Sequence, residues 1–476
     1  MKSFKVIPLL ITVITMYLTV PSASSEVIFT TLVSFTGTNG PYPGANPSAA
    51  LVPGEDGNLY GTALNGGGAN SNGTIFEVSA DGSVFTNLYS FGEGNNGANP
   101  LGALIFGSDG NLYGTTYNGG VSNSGTVFQF STNGTYTVLG LLGGTNGAHP
   151  DTALVTGPNG SLYGATRYGG PYPKTTFGGT GYGVVFQITT NGTLLTPVVF
   201  DATNGANSAA MVPDPDGNFY GTTEWGGTLS LLPYGFGTIY RFNPDGTFTN
   251  LYKFSSGDDG GFPVAALVRG NDGNFYGTTE NGGTNQLGTV FSITPAGQFK
   301  SLYSFMSSSA GAYPDGALVQ ASDGNLYGTT YIGGDNQFGT IFEITTNGNL
   351  TRLVSFTGTG GPWPGANPQS GLVQGADGNF YGTTSLGGAN GLGTIFRLSV
   401  PLPPVIEAIT LTNDTVILTW SAVAGQTYLV QYSDDLTGTD WLDLTKPTVA
   451  ASGVMSATDY DDVAAFTQRF YRVVLE

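Results

Sequence analysis

The chain is 476 residues long, carries a formal charge of −19, and contains one histidine and no cysteine. Phosphate recognition needs clustered lysine and arginine, and the 13 basic residues here are scattered singly, so nucleic acid is excluded as a partner. Without thiols there is no zinc–thiolate site, iron–sulfur cluster or cysteine nucleophile, and a lone His149 rules out a two-histidine metal centre.

In chain order, residues 1–25 read as a secretory leader: Lys2 and Lys5, an apolar run from Val6 to Val20, then Ser22, Ala23, Ser24 and Ser25. Its removal before Glu26 predicts a secreted or cell-surface monomer with no integral membrane segment, since no later apolar run reaches spanning length. A six-residue phrase then recurs seven times, from Asn58-Leu59-Tyr60-Gly61-Thr62-Ala63 to Asn379-Phe380-Tyr381-Gly382-Thr383-Thr384, its tyrosines 53, 50, 57, 56, 51 and 54 residues apart. A period of about 50 residues belongs to propeller-like arrays, whose units bury their apolar faces only against neighbours.

Each unit reads as four strands, a to d. In the second unit they are Ala103 to Phe106, Asn111 to Thr116, Gly125 to Phe130 and Tyr136 to Leu141. An Asp-Gly or Asn-Gly pair, the strongest short hairpin signal, joins a to b in every unit, as in Asp56-Gly57 and Asp377-Gly378. Val27 to Phe35 matches strand d, while the last unit stops after strand c. That phase predicts an all-β, seven-bladed β-propeller over residues 26–400, its N-terminal strand closing the last blade and removing the sheet edges that invite aggregation.

The repeated LYGTT…GG…GT(I/V)F pattern resembles the GloVer tandem repeat of exported bacterial proteins. The resemblance implies an extracellular or cell-surface repeat protein and supplies no catalytic residues. Residues 401–404 (PLPP) then read as a stiff linker. Residues 405–476 look like a small fibronectin type III β-sandwich that ends one strand short, with Trp420 at that fold's buried strand-B position and Tyr428 and Tyr432 on strand C.

Variable b–c and d–a connections place any ligand site on one face. Two units carry long b–c insertions, residues 167–183 and 224–237, which gather Arg167, Tyr168, Tyr172, Lys174, Trp225 and Tyr234 as candidate ligand-binding residues for an extracellular glycan or protein. The main reading is therefore a non-catalytic binding scaffold. The alternative, a glycoside hydrolase or lyase, needs a carboxylate pair, for which Glu93, Asp151, Asp201, Glu224, Glu280, Asp315 and Asp335 stand outside the repeat pattern and Glu224 with Glu280 form the first pair to test. No cofactor is called for: calcium on the Asp-Gly turns is the one metal considered, and hairpin chemistry explains those turns without it. In the d–a loops, a Gly-Ala-x-Pro core places Asn46, Asn99, His149, Tyr313 and Asn367 before proline, where an extended backbone is expected. The acidic run at Asp459 to Asp462 reads as a solvated turn.

Overall fold

The computed structural model describes residues 27–92, 94–158, 160–172, 181–227, 235–412, 415–435, 440–461 and 468–475. Among them there is no α-helix, only single 3-10 turns at Gly94–Asn96, Val121–Asn123 and Gly144–Asn146, and no helix long and apolar enough to cross a membrane. The chain divides into two compact units, one of Phe29–Val373 with Tyr381–Arg397, the other including Gln374–Phe380 and Leu398–Glu476.

The larger unit is a propeller-like array of antiparallel sheets. Ile105–Phe106, Leu112–Thr116, Thr126–Phe130 and Tyr136–Leu141 pair in that order, and the same a-b-c-d order recurs around the array. In the last sheet Val373–Gln374, Phe380–Thr384 and Thr394–Ser399 receive Ile28–Ser34 as their outer strand, so the first strand of the chain completes the last sheet. Phe29 stacks on Phe396 at 5.2 Å, and the Asn390 side chain donates to the Phe35 carbonyl at 2.9 Å.

The a–b turn closes on itself through its aspartate. Asp109 Oδ1 accepts from the Asn111 backbone at 3.1 Å, and its Oδ2 accepts from the Asn111 side chain at 2.8 Å and the Tyr113 hydroxyl at 2.7 Å. Asp56, Asp216, Asp272 and Asp323 repeat the pattern. Burial works against the Asp109 charge, but these donors outweigh it and hold the carboxyl below its ordinary value.

Apolar clusters join neighbouring sheets. Ile75 and Phe91 of the first repeat pack with Leu104, Leu112, Phe128 and Phe130 of the second. The junction between last and first repeats is built alike, from Tyr381 and Ile395, Leu32, Val33 and Phe35, and Leu51, Leu59 and Phe76. Strand b has glycine where strand c brings an aromatic ring: Gly61 faces Phe76, and a Cβ there would lie 2.6 Å from that ring and 2.8 Å from Leu51.

The repeats are also laced by hydrogen bonds running from each d–a loop back to the preceding repeat. Asn46, Asn99, His149, Asn207, Phe262, Tyr313 and Asn367 all have φ of 55–58°. The extended conformation expected from the following proline is thus corrected: these residues are left-handed, a region in which asparagine and histidine are enriched and bulky side chains are strained. The turn aims each N–H at the carbonyl two residues before strand c of the previous repeat, at 2.7–3.0 Å: Asn99 to Asn72, His149 to Ser124, Asn207 to Tyr182, Phe262 to Phe236, Tyr313 to Leu287, Asn367 to Phe338, and Asn46 to Leu392. The last of these joins the first repeat to the seventh. The next residue of the earlier repeat is glycine, and its Cβ would meet the proline ring of the later one at 2.6 Å for Gly393 and Pro47.

The fourth repeat departs from the pattern. Ser208 stands where the other loops have proline, and with its N–H available Ala206–Ser208 pairs with strand b as an extra segment opposite Thr223 and Trp225. Tyr240 replaces the strand-c phenylalanine, and its buried hydroxyl bonds to Ser208 Oγ at 2.7 Å.

In the smaller unit Ile406–Thr412, Thr415–Ser421 and Val454–Asp459 form one sheet. Thr427–Ser433 forms the other, with Phe470–Leu475 on one edge and Leu442–Asp443 and Thr448–Val449 as its further partners. Leu418, Trp420, Tyr428 and Val430 fill the shared core. Asp459, read from the sequence as part of a solvated turn, is only 3% exposed and is held by Arg469 at 2.9 Å and Tyr471 at 2.9 Å. A cation and a phenol from the next strand supply what water would have.

Two outcomes follow for stability. Gly61→Val is expected to cost about 1–3 kcal/mol in denaturant unfolding, because neither Phe76 nor Leu51 has room to yield. Deleting residues 27–36 should accelerate amide exchange across Thr394–Ser399 by at least about a hundredfold, the loss of roughly 2.7 kcal/mol of protection; unchanged exchange would mean the outer strand does not secure that sheet.

Candidate functional site

Two loop positions vary among repeats whose strands hardly change. One lies four residues after the strand-b tyrosine: Leu64, Tyr117, Arg167, Glu224, Glu280, Tyr331 and Ser385. The other follows the Gly-Ala-x-Pro core: Ser48, Leu101, Asp151, Ala209, Val264, Asp315 and Gln369. In repeats three to six these positions supply four carboxylates and one guanidinium; elsewhere they are neutral.

The structure brings the charged ones together. Arg167 lies 3.3 Å from Asp151 and 3.7 Å from Glu224, so the predicted third and fourth repeats do meet. Asn207, which the sequence reading did not select, donates its side-chain amide to Glu224. Asp151, Thr152, Arg167, Asn207, Glu224 and Val264 surround a cavity of about 120 Å³. Three successive repeats thus contribute to one concavity.

Burial pushes the Glu224 carboxyl up to about 7, with Arg167 opposing and Glu280 and Asp151 adding like-charge repulsion. Asp151 is likewise pushed by burial to about 6 against the pull of Arg167. Glu280 is raised by burial, and Asp315 is raised well above the ordinary range by burial and then by Glu280 and Glu224. Asp151 Oδ1, Asp315 Oδ1 and Thr152 Oγ1 are buried without a hydrogen-bond partner. Among the described residues no three potential ligands converge as a metal site.

The remaining carboxylates have structural partners. Asp201 caps its own loop through the backbones of Thr203 and Asn204, and Asp335 pairs with Arg352 at 2.8 Å. Glu93 lies outside the described residues.

Aromatic side chains border the cluster. Tyr168 meets Arg167 at 5.9 Å and the His149 ring edge-on at 5.9 Å. His149 serves as an asparagine substitute: its Nδ1 bonds the Tyr117 carbonyl at 2.9 Å, as the Asn99 amide bonds Leu64 at 3.0 Å and Asn46 bonds Ser385 at 2.9 Å. Trp225 is half-buried against Phe262 at 5.1 Å, and Tyr172 is exposed beside Tyr182 at 6.2 Å. Lys174 and Tyr234 lie outside the described residues. Asp151 and Asp315 were legible as carboxylates outside the repeat pattern; aligning the post-proline position across repeats is the signal that groups them with Glu224 and Glu280.

Comparison with known proteins bears on family rather than chemistry. A putative 6-phosphogluconolactonase from Bacteroides uniformis is similar at 16% identity and a TM-score of 0.47, over 84% of this chain and 98% of that one. Puromycin hydrolase is similar at 12% identity and 0.48, over 82% and 60%. The PQQ-bound aldose sugar dehydrogenase of Streptomyces coelicolor stands at 13% and 0.37, over 79% and 98%. Likenesses this distant say nothing of this chain's activity. The search of curated proteins gave no match. The Gloeobacter/Verrucomicrobia repeat model matches residues 17–178, 172–396 and 309–438, from the first repeats through the last. The chain belongs to the Gloeobacter/Verrucomicrobia repeat family.

Proposed function

We propose that this protein is a non-catalytic binding scaffold that works outside the cell or at its surface, as a seven-bladed propeller followed by a fibronectin type III-like sandwich. The observation that carries the reading is the break in symmetry: the strands stay nearly constant, while two loop positions turn charged in repeats three to six, and those of repeats three and four line a polar cavity. Export rests on the leader-like residues 1–25 and is read from the sequence. For the sandwich, the support is the packing of Trp420 and Tyr428 between two sheets, with Phe470–Leu475 pairing to Thr427–Ser433.

Binding is favoured over hydrolysis by the state of Glu224. A glycosidase needs one carboxyl free to protonate a leaving group and another free to attack or activate water. Glu224 is instead engaged by Asn207 and Arg167. The half-buried Tyr168 and Trp225 give a ligand apolar faces beside polar ones, an arrangement suited to a glycan or a protein side chain.

The test is a panel of glycans and peptides presented to the protein without its leader, beside Glu224→Gln and Trp225→Ala variants. Each substitution should weaken the bound partner at least about tenfold, or 1.4 kcal/mol, while leaving the fold intact by circular dichroism. Binding that persists unchanged in both variants would place recognition elsewhere on the molecule.

A further inference from the structure

The polar mouth of repeats three to six has more acceptors than donors, and this imbalance points to a ligand chemistry. Resting on the binding-scaffold reading above, we propose that the group taken at this mouth is an organic cation, a primary alkylammonium carried either by a free polyamine or by a lysine side chain.

The argument begins with the inventory of hydrogen-bonding groups. Asp151 and Arg167 come from the third repeat, Glu224 from the fourth, Glu280 from the fifth and Asp315 from the sixth, so among the described residues of these two loop positions four carboxylates stand against one guanidinium, which pairs with Asp151 and Glu224. The donors already present are committed. Arg167 is shared between Asp151 and Glu224, and the Asn207 amide is spent on Glu224. Two carboxylate oxygens, Asp151 Oδ1 and Asp315 Oδ1, and the Thr152 hydroxyl are nevertheless buried with nothing to bond. A buried acceptor without a donor is costly, and the two that line the cavity, on Asp151 and Thr152, make a site that is completed by a donor-rich guest. An ammonium offers three donors, carries a positive charge and accepts nothing, which answers a deficit of this kind.

The other groups facing this mouth agree. Tyr117 lies against the His149 ring, His149 meets Tyr168 edge-on, and His149 Nδ1 is taken up by the Tyr117 carbonyl. Tyr168, beneath the Arg167 guanidinium at 5.9 Å, and Trp225, against Phe262 at 5.1 Å, put aromatic rings on residues adjoining the cluster. The cavity beside Glu224, about 120 Å³, is larger than one water requires. A metal ion fits less well, since among the described residues no three ligating side chains converge.

Without the guest, protons fill its place. Carboxyls with raised folded-state values hold protons that the unfolded chain has released, so their charging erodes stability as pH climbs from about 4 through about 7. A bound ammonium favours the ionised form, and each carboxyl that ionises on binding releases one proton to solvent. Affinity should therefore rise with pH, by about tenfold per unit for each proton released.

The experiment is calorimetric titration of the protein without its leader at pH about 5.5 and about 8, in buffers of different ionisation enthalpy, with four probes. Spermidine and a lysine-containing basic peptide test the two sources of the amine; a neutral oligosaccharide and calcium chloride test the competing chemistries. The expected result is that at least one amine binds, more tightly at the higher pH and with proton release at the lower, and that Glu280→Gln and Asp315→Asn lose at least about tenfold in affinity and flatten the pH dependence. Asp335→Asn, outside the cluster, should leave binding unchanged. With no ligand, Glu280→Gln and Asp315→Asn should raise the melting temperature at pH about 8 and not at about 4.5, a readout independent of binding. Amines that fail to bind while the oligosaccharide binds would overturn the cation assignment and leave the scaffold reading standing. Calcium binding in place of amines would overturn it in favour of a metal, an unchanged melting temperature at the higher pH would remove its premise, and silence from every probe would count against both readings.

Discussion

Every junction in the larger unit depends on a backbone N–H held in a left-handed turn and aimed at the preceding repeat. Left-handed residues other than glycine cost free energy, and seven at corresponding places require a common return. The return is the inter-repeat hydrogen bond at 2.7–3.0 Å, made by a group that would otherwise be buried unpaired beside proline. The residue before strand c must then be glycine, because the later repeat's proline occupies the space of a Cβ, as Pro47 does at Gly393. A single local conformation thus dictates the Gly-Ala-x-Pro loop, the glycine before strand c and the spacing between neighbouring sheets.

Side chains at the left-handed position tune that joint. Asn46, Asn99 and Asn367, and His149 by imitation, add a second bond to the preceding repeat's carbonyl. Phe262 cannot donate and is more strained, yet it recovers contact by lying between Trp225 and Phe236 at 5.1 and 5.6 Å. The fourth repeat exchanges proline for Ser208, gains a strand segment, and absorbs the new hydroxyl with Tyr240. A polar change on one strand is balanced by a polar change on another, as a buried hydroxyl requires.

These relations explain what the sequence could and could not reveal. The four strands of each repeat were legible because glycine, tyrosine and Asp-Gly recur in fixed phase; in the second repeat the predicted Tyr136 to Leu141 strand is the observed one. The closing strand was legible because Ile28–Ser34 has the pattern of strand d without a, b and c before it. The left-handed turn was hidden by proline, whose usual demand on its predecessor is an extended backbone. It shows only once the partner carbonyl in the preceding repeat is known. The candidate site was half visible for a similar reason. Long insertions drew attention to Arg167 and Glu224, whereas Asn207 sits in a loop of ordinary length, and nothing local marks its amide as the partner of Glu224.

A scaffold held by backbone bonds and glycine–aromatic packing leaves particular side chains free to diverge. Residues four after the strand-b tyrosine, and those following the loop proline, contribute little to the joints that fix the sheets, so replacing Leu64 by Glu224 or Ser48 by Asp315 in equivalent positions leaves the architecture intact. Charge can therefore accumulate at one sector without local compensation from each repeat. Arg167 answers Asp151 and Glu224, but Glu280 and Asp315 receive no second cation from the residues that raise their values. A protein selected for stability alone would lose those two half-buried carboxyls readily, since a neutral residue occupies the same positions in other repeats. Their retention is what a bound partner would explain, and it is why the asymmetry of this array is better read as a site than as drift.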